Sequence, residues 1–308
     1  MKAKINNIMS TELFLPIVSL ILVLIINIIK TPNFFNITIQ NGVFYGYIID
    51  VINRASELVI LAVGMTLVVA SSGGTDISVG AVCALSGAVA CFILSGGEVS
   101  TGVYHLPYIV AFISAIIVGL VCGSFNGFLV AKMNIQPMVA TLILFTAGRG
   151  MAQLVTNGQI TYIRVESFKM LGNSVKGIPL PTPVFVAIAV VILTFIILKK
   201  TALGLYIETV GINNKAAKLV GLNPVLIRFI AYAFCGLLAG LAGMIVSSRV
   251  YSADANNAGL NIELDAILAV ALGGNSLSGG KFSLLGSVIG AYTIQALTTT
   301  LYAMSVSA

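Results

Sequence analysis

Eight long apolar runs divide this 308-residue chain, at about 13–29, 56–72, 79–95, 108–131, 138–156, 183–198, 226–247 and 282–302. A helix needs roughly 20 mostly apolar residues to cross a bilayer core, where every backbone group must find its partner inside the protein. A ninth run, ELDAILAVALG at 263–273, is shorter. At about 1.5 Å per residue it covers about 16 Å, half of a core roughly 30 Å thick. It is either a half-helix or part of a span that starts near Ala253. The pattern predicts an all-α polytopic helical membrane protein with about 9–10 transmembrane segments, forming a single domain over 1–308.

Charge is too scarce for the alternatives. Only 8% of the residues are charged, against about 25% in a soluble domain. That excludes an ordinary soluble enzyme, a disordered chain and a disulfide scaffold. The net charge of +6 carries no basic cluster interleaved with aromatics, so no nucleic-acid partner is expected. Cys83, Cys91, Cys122 and Cys235 all lie in apolar runs without a CxxC pair, and His105 is the single histidine. The cysteines read as small core residues, and no metal site is expected. Without a Ser–His or Cys–His pair, a GxSxG motif or a GxxxxGK[ST] loop, neither nucleophilic catalysis nor nucleotide hydrolysis belongs to this chain.

Basic residues set the orientation. With a cytoplasmic N-terminus, Lys2, Lys4, Lys132, Lys199, Lys200, Lys215, Lys218, Arg228 and Lys281 fall inside. Lys30, Arg54, Arg164, Lys169, Lys176 and Arg249 fall outside or at the outer boundary. The inner connection 199–225 decides the assignment, following the excess of Lys and Arg in cytoplasmic loops. Lys2 and Lys4 before the first run imitate a signal peptide, but the run is long and no small-x-small cleavage site follows, so it reads as an uncleaved helix.

Two segments echo each other at an offset of 200 residues: GGTDISVGAVCALSGAVA at 73–90 and GGNSLSGGKFSLLGSVIG at 273–290. Paired glycine-rich breaks in corresponding places point to a solute path in transporters, because glycine permits unwound backbone whose freed groups must face a cavity or protein. Asp76 and Ser78 on one side, and Asn275, Ser276 and Ser278 on the other, are expected to cap helices, to meet a polar solute, or both. Arg149, about eleven residues into its helix, needs a partner or a wet cavity. It either holds a helix pair together or lines the path. Asp254, Asn256, Asn257, Glu263 and Asp265 precede the short segment, as solvated loop and N-terminal carboxylates or as a docking rim for an external partner.

The stretch GINNKAAKLVGLNPVLIRF resembles the coupling helix of ABC importer permeases. Ala216, Ala217 and Gly221 match its pattern, and Lys215 stands where an acidic residue is usual. LAVGMTLVVASSGGTDISVGAVCALSGA resembles the hallmark of the ribose/galactose/xylose branch of those permeases, departing at Ser72 and Thr75. The likeness continues through 135–160, 200–221 and 253–291 and covers about 50–302. The wording around ADANNAGL is most similar to bacterial galactofuranose permeases.

The resemblance implies a permease subunit of an ATP-driven sugar importer in the bacterial cytoplasmic (inner) membrane. The solute would be galactofuranose, or otherwise ribose, galactose or xylose. Implied partners are an ABC ATPase carrying the ATP and Mg, a second permease chain, identical or paralogous, and an extracytoplasmic sugar-binding protein. This chain itself would hold no cofactor. Its path would use Asp76, Ser78, Arg149, Asn275, Ser276 and Ser278; its ATPase contact Gly211, Lys215, Ala216, Ala217 and Gly221; its docking rim Asp254, Asn256 and Asn257. Family members usually carry ten helices and end inside, so the last family helix is expected to be missing after Ala308. The alternative is an ion-coupled secondary transporter or a passive channel for small polar solutes.

Overall fold

A computed structural model describes residues 13–31, 33–40 and 42–304. Lys2 and Lys4, which help set the expected orientation, lie outside the described residues. The chain opens with α1 (Phe14–Lys30), a hairpin of β1 (Thr38–Gln40) and β2 (Val43–Tyr45), then α2 (Tyr47–Ser72) and α3 (Val79–Ser95). After β3 (Ser100–Thr101) come α4 (Tyr108–Gly127), continued by a π-helical turn at Phe128–Lys132, and α5 (Pro137–Val155). β4 (Thr161–Ile163) and a 3-10 turn (Glu166–Leu171) lead to α6 (Thr182–Lys200), α7 (Leu203–Ile212) and α8 (Asn214–Leu219). The remainder is α9 (Pro224–Val250), β5 (Ser252–Ala253), α10 (Ile262–Leu272) and α11 (Leu284–Ala303).

Local chemistry explains the boundaries. α5, α6 and α9 begin on a proline in the first turn, where the missing N–H costs nothing. α2 ends at Gly73, which takes the left-handed conformation (φ 63°) and returns its N–H to Val69 O. Among the described residues, six helices are long and apolar enough to cross a membrane: α2, α4 with its π-helical extension, α5, α6, α9 and α11. Apolar α1 and α3 have 17 residues each, and α10 has 11. The short segment is therefore a half-length helix, and 254–261 is a run of turns instead of an earlier start to it. α2 starts at Tyr47, nine residues before its apolar run, and so takes Asp50 and Arg54 into the helix. The inner connection is not a polar loop, since α7 is apolar and buries Gly204, Ile207 and Val210.

α2 and α9 form the centre. α2 is buried almost continuously from Ala55 to Ser71, and α9 packs against α4, α2 and α3. Gly64 of α2 lies on Cys235, and Arg249 near the end of α9 pairs with Glu57 near the start of α2, so the two run antiparallel. α3 runs parallel to α9, with Cys83 facing Gly243 and Gly87 facing Ser247. Arg249, an outer-boundary charge by sequence, is instead an interior tie: it also donates to Asn53 O at 3.0 Å and Gly172 O at 3.3 Å. β4 pairs with β3 in parallel and with β5 antiparallel, gathering the loops after α3, α5 and α9 at one end of the bundle. The opposite end carries α7 and α8. α4, α5 and α6 turn Ile117, Val121, Leu142, Ile143, Ile192 and Leu193 outward, all half-exposed or more. An apolar exterior of that kind suits lipid.

The tightest seam joins α4 to α9. A Cβ on Gly119 would sit 2.8 Å from the Gly240 Cα, and one on Gly123 would sit 2.8 Å from the Gly236 Cα. Both backbones approach to a distance only glycine allows. Gly236→Leu is expected to insert in the membrane but lose stability by about 1–3 kcal/mol or more through overpacking. Thermal unfolding in detergent checks this, and an unchanged midpoint would contradict the seam.

Candidate functional site

The two glycine-rich segments meet. Gly280 N–H donates to Ala70 O at 2.9 Å, and a Cβ on Gly73 would lie 2.7 Å from Ser278 O. Both segments sit at the α8 end of the bundle. Each reverses the chain between antiparallel helices, α2 to α3 and α10 to α11, and neither interrupts a single continuing span. The register of α10 on α11 shows the second reversal, with Gly290 on Ala269 and Gly286 on Gly273.

Asp76, 1% exposed, organises the first reversal. Its Oδ1 accepts from Ser78 N–H at 2.9 Å and from the Ser78 hydroxyl at 2.6 Å. Asn126 Nδ2 reaches Asp76 Oδ2 at 3.3 Å and Ser78 Oγ at 2.8 Å. The carboxylate thus stands at the N-terminus of α3, where free N–H groups and the helix dipole favour negative charge. Asn126 was not singled out by sequence, although an Asn within the apolar run 108–131 is itself the signal. Asn275 does the same work in the second reversal. Its Nδ2 donates to Val270 O at 3.0 Å and to Ser287 Oγ at 2.8 Å, and its Oδ1 accepts from Ser283 N–H at 2.6 Å. Ser287 in turn meets Thr66 Oγ1 at 2.7 Å, tying the reversal to α2. Ser276 and Ser278 are exposed at the α8 end, apart from these two networks.

The segment after α9 turns back into the bundle. Gly259 lies against Gly80 and Cys83 of α3, and a Cβ on Gly80 would collide with the Glu263 carboxylate and the Gly259 carbonyl. Glu263 is 4% exposed and lies by the first turn of α3, its Oε2 without a hydrogen-bond partner among the described residues. Arg149 does not reach Asp76. Its Nη1 donates to Ala258 O at 2.6 Å, Ala255 O at 3.1 Å and Asn256 O at 3.3 Å, clamping the inturned segment. Gln153 adds a bond to Asn256 Oδ1 at 2.6 Å. Asn256 and Asn257 are exposed at the sheet end. Burial pushes the Asp254 carboxyl up, but the Asn257 side chain, the Asn257 and Asn256 N–H groups and the Arg149 charge outweigh it, holding the carboxyl below its ordinary value.

At the α8 end, Asn213 caps α8 by accepting from Lys215 and Ala216 N–H, both at 3.0 Å. Ala217 is wholly buried against α9, while Lys215 and Ala216 are exposed. Gly221 has open space around it but a φ of 83°, so it serves the left-handed turn after α8. The exposed apolar side chains of this end are residues not singled out by sequence: Leu219, 89% exposed, Val220 and Ile212. Their signal was that, alanines apart, they are the apolar residues of 211–221. Gly211 faces inward. A Cβ there would strike Ala70 O and lie 2.6 Å from Gly280 N, the same pair that joins the two reversals.

The family described as "Branched-chain amino acid transport system / permease component" matches residues 47–308. The galactofuranose transporter permease protein YtfT of Escherichia coli (strain K12) is 47% identical over 92% of this chain and 80% of its own length. The ribose import permease protein RbsC of the same strain is 40% identical over 93% of this chain and 85% of its own. The fructose import permease protein FruF of Bifidobacterium longum (strain NCC 2705) is 37% identical, covering 100% of this chain and 86% of its own. No solved structure matches. The likeness read from the glycine-rich and α8 motifs is thereby borne out.

Two outcomes follow from the side-chain ties. Asp76→Ala leaves Ser78 and Asn126 without their buried acceptor and should cost about 1–3 kcal/mol, read as a lower thermal midpoint than that of Asp76→Asn. Arg149→Met should raise hydrogen exchange across 253–261 while α2 and α9 stay protected. Because the folded Asp254 pKa is depressed, its share of that loop's stability is present above the ordinary value of 3.8 and is lost only as pH falls through the lower folded value. Exchange in the wild-type loop should therefore show no Asp254-linked change between neutral pH and the ordinary value of 3.8.

Proposed function

The chain belongs to the branched-chain amino acid transport system / permease component family, and from that premise we propose that it is the membrane-spanning subunit of an ATP-driven monosaccharide importer. The family's description names amino acids, whereas YtfT, RbsC and FruF are named for sugars. A sugar is therefore the solute class, with galactofuranose favoured and ribose or fructose next. The chain performs no chemical step. ATP binding and hydrolysis belong to a partner ABC ATPase, which also holds the Mg. A second permease chain completes the pathway, and an extracytoplasmic binding protein delivers the sugar at the sheet end, across Asp254, Asn256 and Asn257. The α8 end faces the cytoplasm, as Lys199, Lys200, Lys215 and Lys218 there favour. That puts the N-terminus inside, in the cytoplasmic membrane of a bacterium.

The observation that carries this reading is the α7–α8 projection. Its exposed Leu219, Val220 and Ile212 offer an apolar contact to an ATPase groove, and its other side presses Gly211 onto Ala70 and Gly280. A push on α8 is transmitted to the junction of the two reversals through backbone contact, with no flexible side chain to absorb it. In this reading Gly211 is a transmission point and Ala217 and Gly221 give α8 its seat and shape.

Co-purification and proteoliposome uptake test it. Leu219→Arg should abolish capture of the ATPase, since a charge in an apolar contact costs several kcal/mol or more when unpaired. Gly211→Val should retain capture and ATP hydrolysis but lose uptake by about tenfold or more, equivalent to about 1.4 kcal/mol of misplaced coupling. Normal ATP-driven uptake in both variants would overturn the assignment. Uptake driven by an ion gradient without an ATPase would replace it with a secondary transporter.

A further inference from the structure

The segment 31–49, which joins α1 to α2 through the β1–β2 hairpin, carries no charged residue, and five of its residues are aromatic: Phe34, Phe35, Phe44, Tyr45 and Tyr47. It does not bury all of its apolar side chains. Phe35, Ile37, Ile39, Tyr45 and Tyr47 are exposed, Ile39 most of all at 67%. The exposure is not looseness, because the hairpin is held from three sides. Phe34 is buried with Val23 of α1, Val51 of α2 and Ala296 of α11, and its ring stacks on Tyr47 at 6.2 Å. A Cβ on Gly46 would collide with the Asn36 carbonyl oxygen, so the two ends of the hairpin lie against each other. Phe44 N–H donates to Pro179 O at 3.0 Å, fixing β2 to the connection before α6. β1 is thus the outer strand, and no further strand pairs with it among the described residues.

α1 sets the depth of this hairpin. Its 17 residues, at about 1.5 Å each, give about 26 Å, less than a hydrocarbon core roughly 30 Å thick. Ile28 and Ile29 in its last turns are 62% and 69% exposed, so its lipid-facing surface runs to its end. The chain that follows therefore starts at the boundary between hydrocarbon and headgroups. The hairpin also lies on the outside of the bundle. On one side it continues α1, which packs chiefly on α11, and on the other it meets the connection into α6, which turns Ile188, Ile192 and Leu193 outward. An uncharged edge strand left in water invites pairing with other chains. In the headgroup layer, water and lipid can satisfy the open edge of β1, which hydrocarbon could not do. Aromatic side chains are favoured at that level, and aliphatic ones gain by leaving water.

We propose that the β1–β2 hairpin is an interfacial membrane contact, lying in the headgroup layer at the sheet end with Phe35, Ile37 and Ile39 against phospholipid acyl chains. Through Phe34 and Tyr47 it ties the start of α2 to the membrane surface. The rim of Asp254, Asn256 and Asn257 stays clear of it. The proposal rests on the membrane-spanning fold alone and is independent of which solute the chain carries.

The chain contains no Trp, so a single introduced indole reports alone. The test places the full chain in nanodiscs of phosphatidylcholine and phosphatidylglycerol whose acyl chains are brominated either near the glycerol or near the methyl end, with iodide as the aqueous quencher. Ile39→Trp and Ile37→Trp should each be quenched severalfold more by the shallow bromines than by the deep ones, and little by iodide. Glu98→Trp, exposed in the loop after α3 at the same end, should be quenched by iodide and not by bromine. Ile192→Trp, midway along α6 and facing outward, should be quenched most by the deep bromines. Iodide quenching of both hairpin variants as strong as that of Glu98→Trp, with no bromine quenching, would overturn the proposal. So would protection from iodide that arises only when the sugar-binding protein is added, which would make the hairpin a protein-docking surface. Neither result touches the importer reading, which uptake decides.

Discussion

Backbone-to-backbone contact along α9 is the constraint on which the rest of the bundle depends. Lipid tails are as apolar as leucine, so helices in a membrane gain little by hiding apolar side chains from one another and must gain by close fit. α9 achieves that fit on three sides: Gly236 and Gly240 against α4, Gly243 against α3, and Cys235 against Gly64 of α2. The glycines let three helices share one axis at distances a Cβ would forbid. α2 can then be buried almost throughout and still carry Glu57, because Arg249, at the far end of the same α9, is delivered to it. The outer helices α4, α5 and α6 are free to face lipid because the centre is already closed.

Polar groups in this bundle fasten places where helices start or turn. Asp76 and Asn275 each bracket one reversal, and Asn27 of α1 donates to Thr300 of α11 at 2.7 Å, holding the first helix to the last described one. A membrane interior makes such bonds worth keeping, since the alternative is an unsatisfied group in hydrocarbon. Arg149 works by the same logic at a distance. Its guanidinium replaces the partners that the carbonyls of Ala255, Asn256 and Ala258 would have had in a regular helix, and so permits a turn segment to lie inside the bundle.

The helices were legible because their signal is length and apolarity, which one sequence displays fully; each of the eight apolar runs lies in a helix. The start of α2 was not, since Asp50 and Arg54 look like loop and Arg249, the partner of Glu57, lies 192 residues away. Asp76 and Asn275 could be marked as unusual, but their partners Asn126 and Ser287 lie 50 and 12 residues away, and pairing over such separations is a property of packing. The coupling pattern fared in a similar way. Ala217 and Gly221 stood out as small residues, yet Ala217 faces the core and Gly221 sets a turn, and the exposed apolar surface belongs to their neighbours between and before them. Gly211 shows the limit most clearly, because its role depends on a carbonyl at Ala70 and an amide at Gly280 that no local pattern relates to it.

The start of α3 is where the two ends of the molecule come into contact. From the α8 end, the 73–78 reversal brings Asp76 to its first turn; from the sheet end, the inturned 254–261 segment brings Gly259 and Glu263 to the same turn. Both approaches place a carboxylate on one helix N-terminus, whose free N–H groups can stabilise negative charge from either side. Asp76 is the better bonded of the two, with Ser78 and Asn126 around it, while Glu263 Oε2 has no partner among the described residues. The contact on the sheet side is thus the weaker one. In the proposed coupling, a force arriving through Gly211 would act on the stronger side, at Ala70 and Gly280, which flank the reversal that holds Asp76. Because α3 also runs beside α9 with Cys83 against Gly243, it cannot shift without changing how Gly80 meets Gly259. In the proposed importer, motion at the α8 end would therefore reach the sheet end through α3, which is the linkage that alternating access requires of a permease.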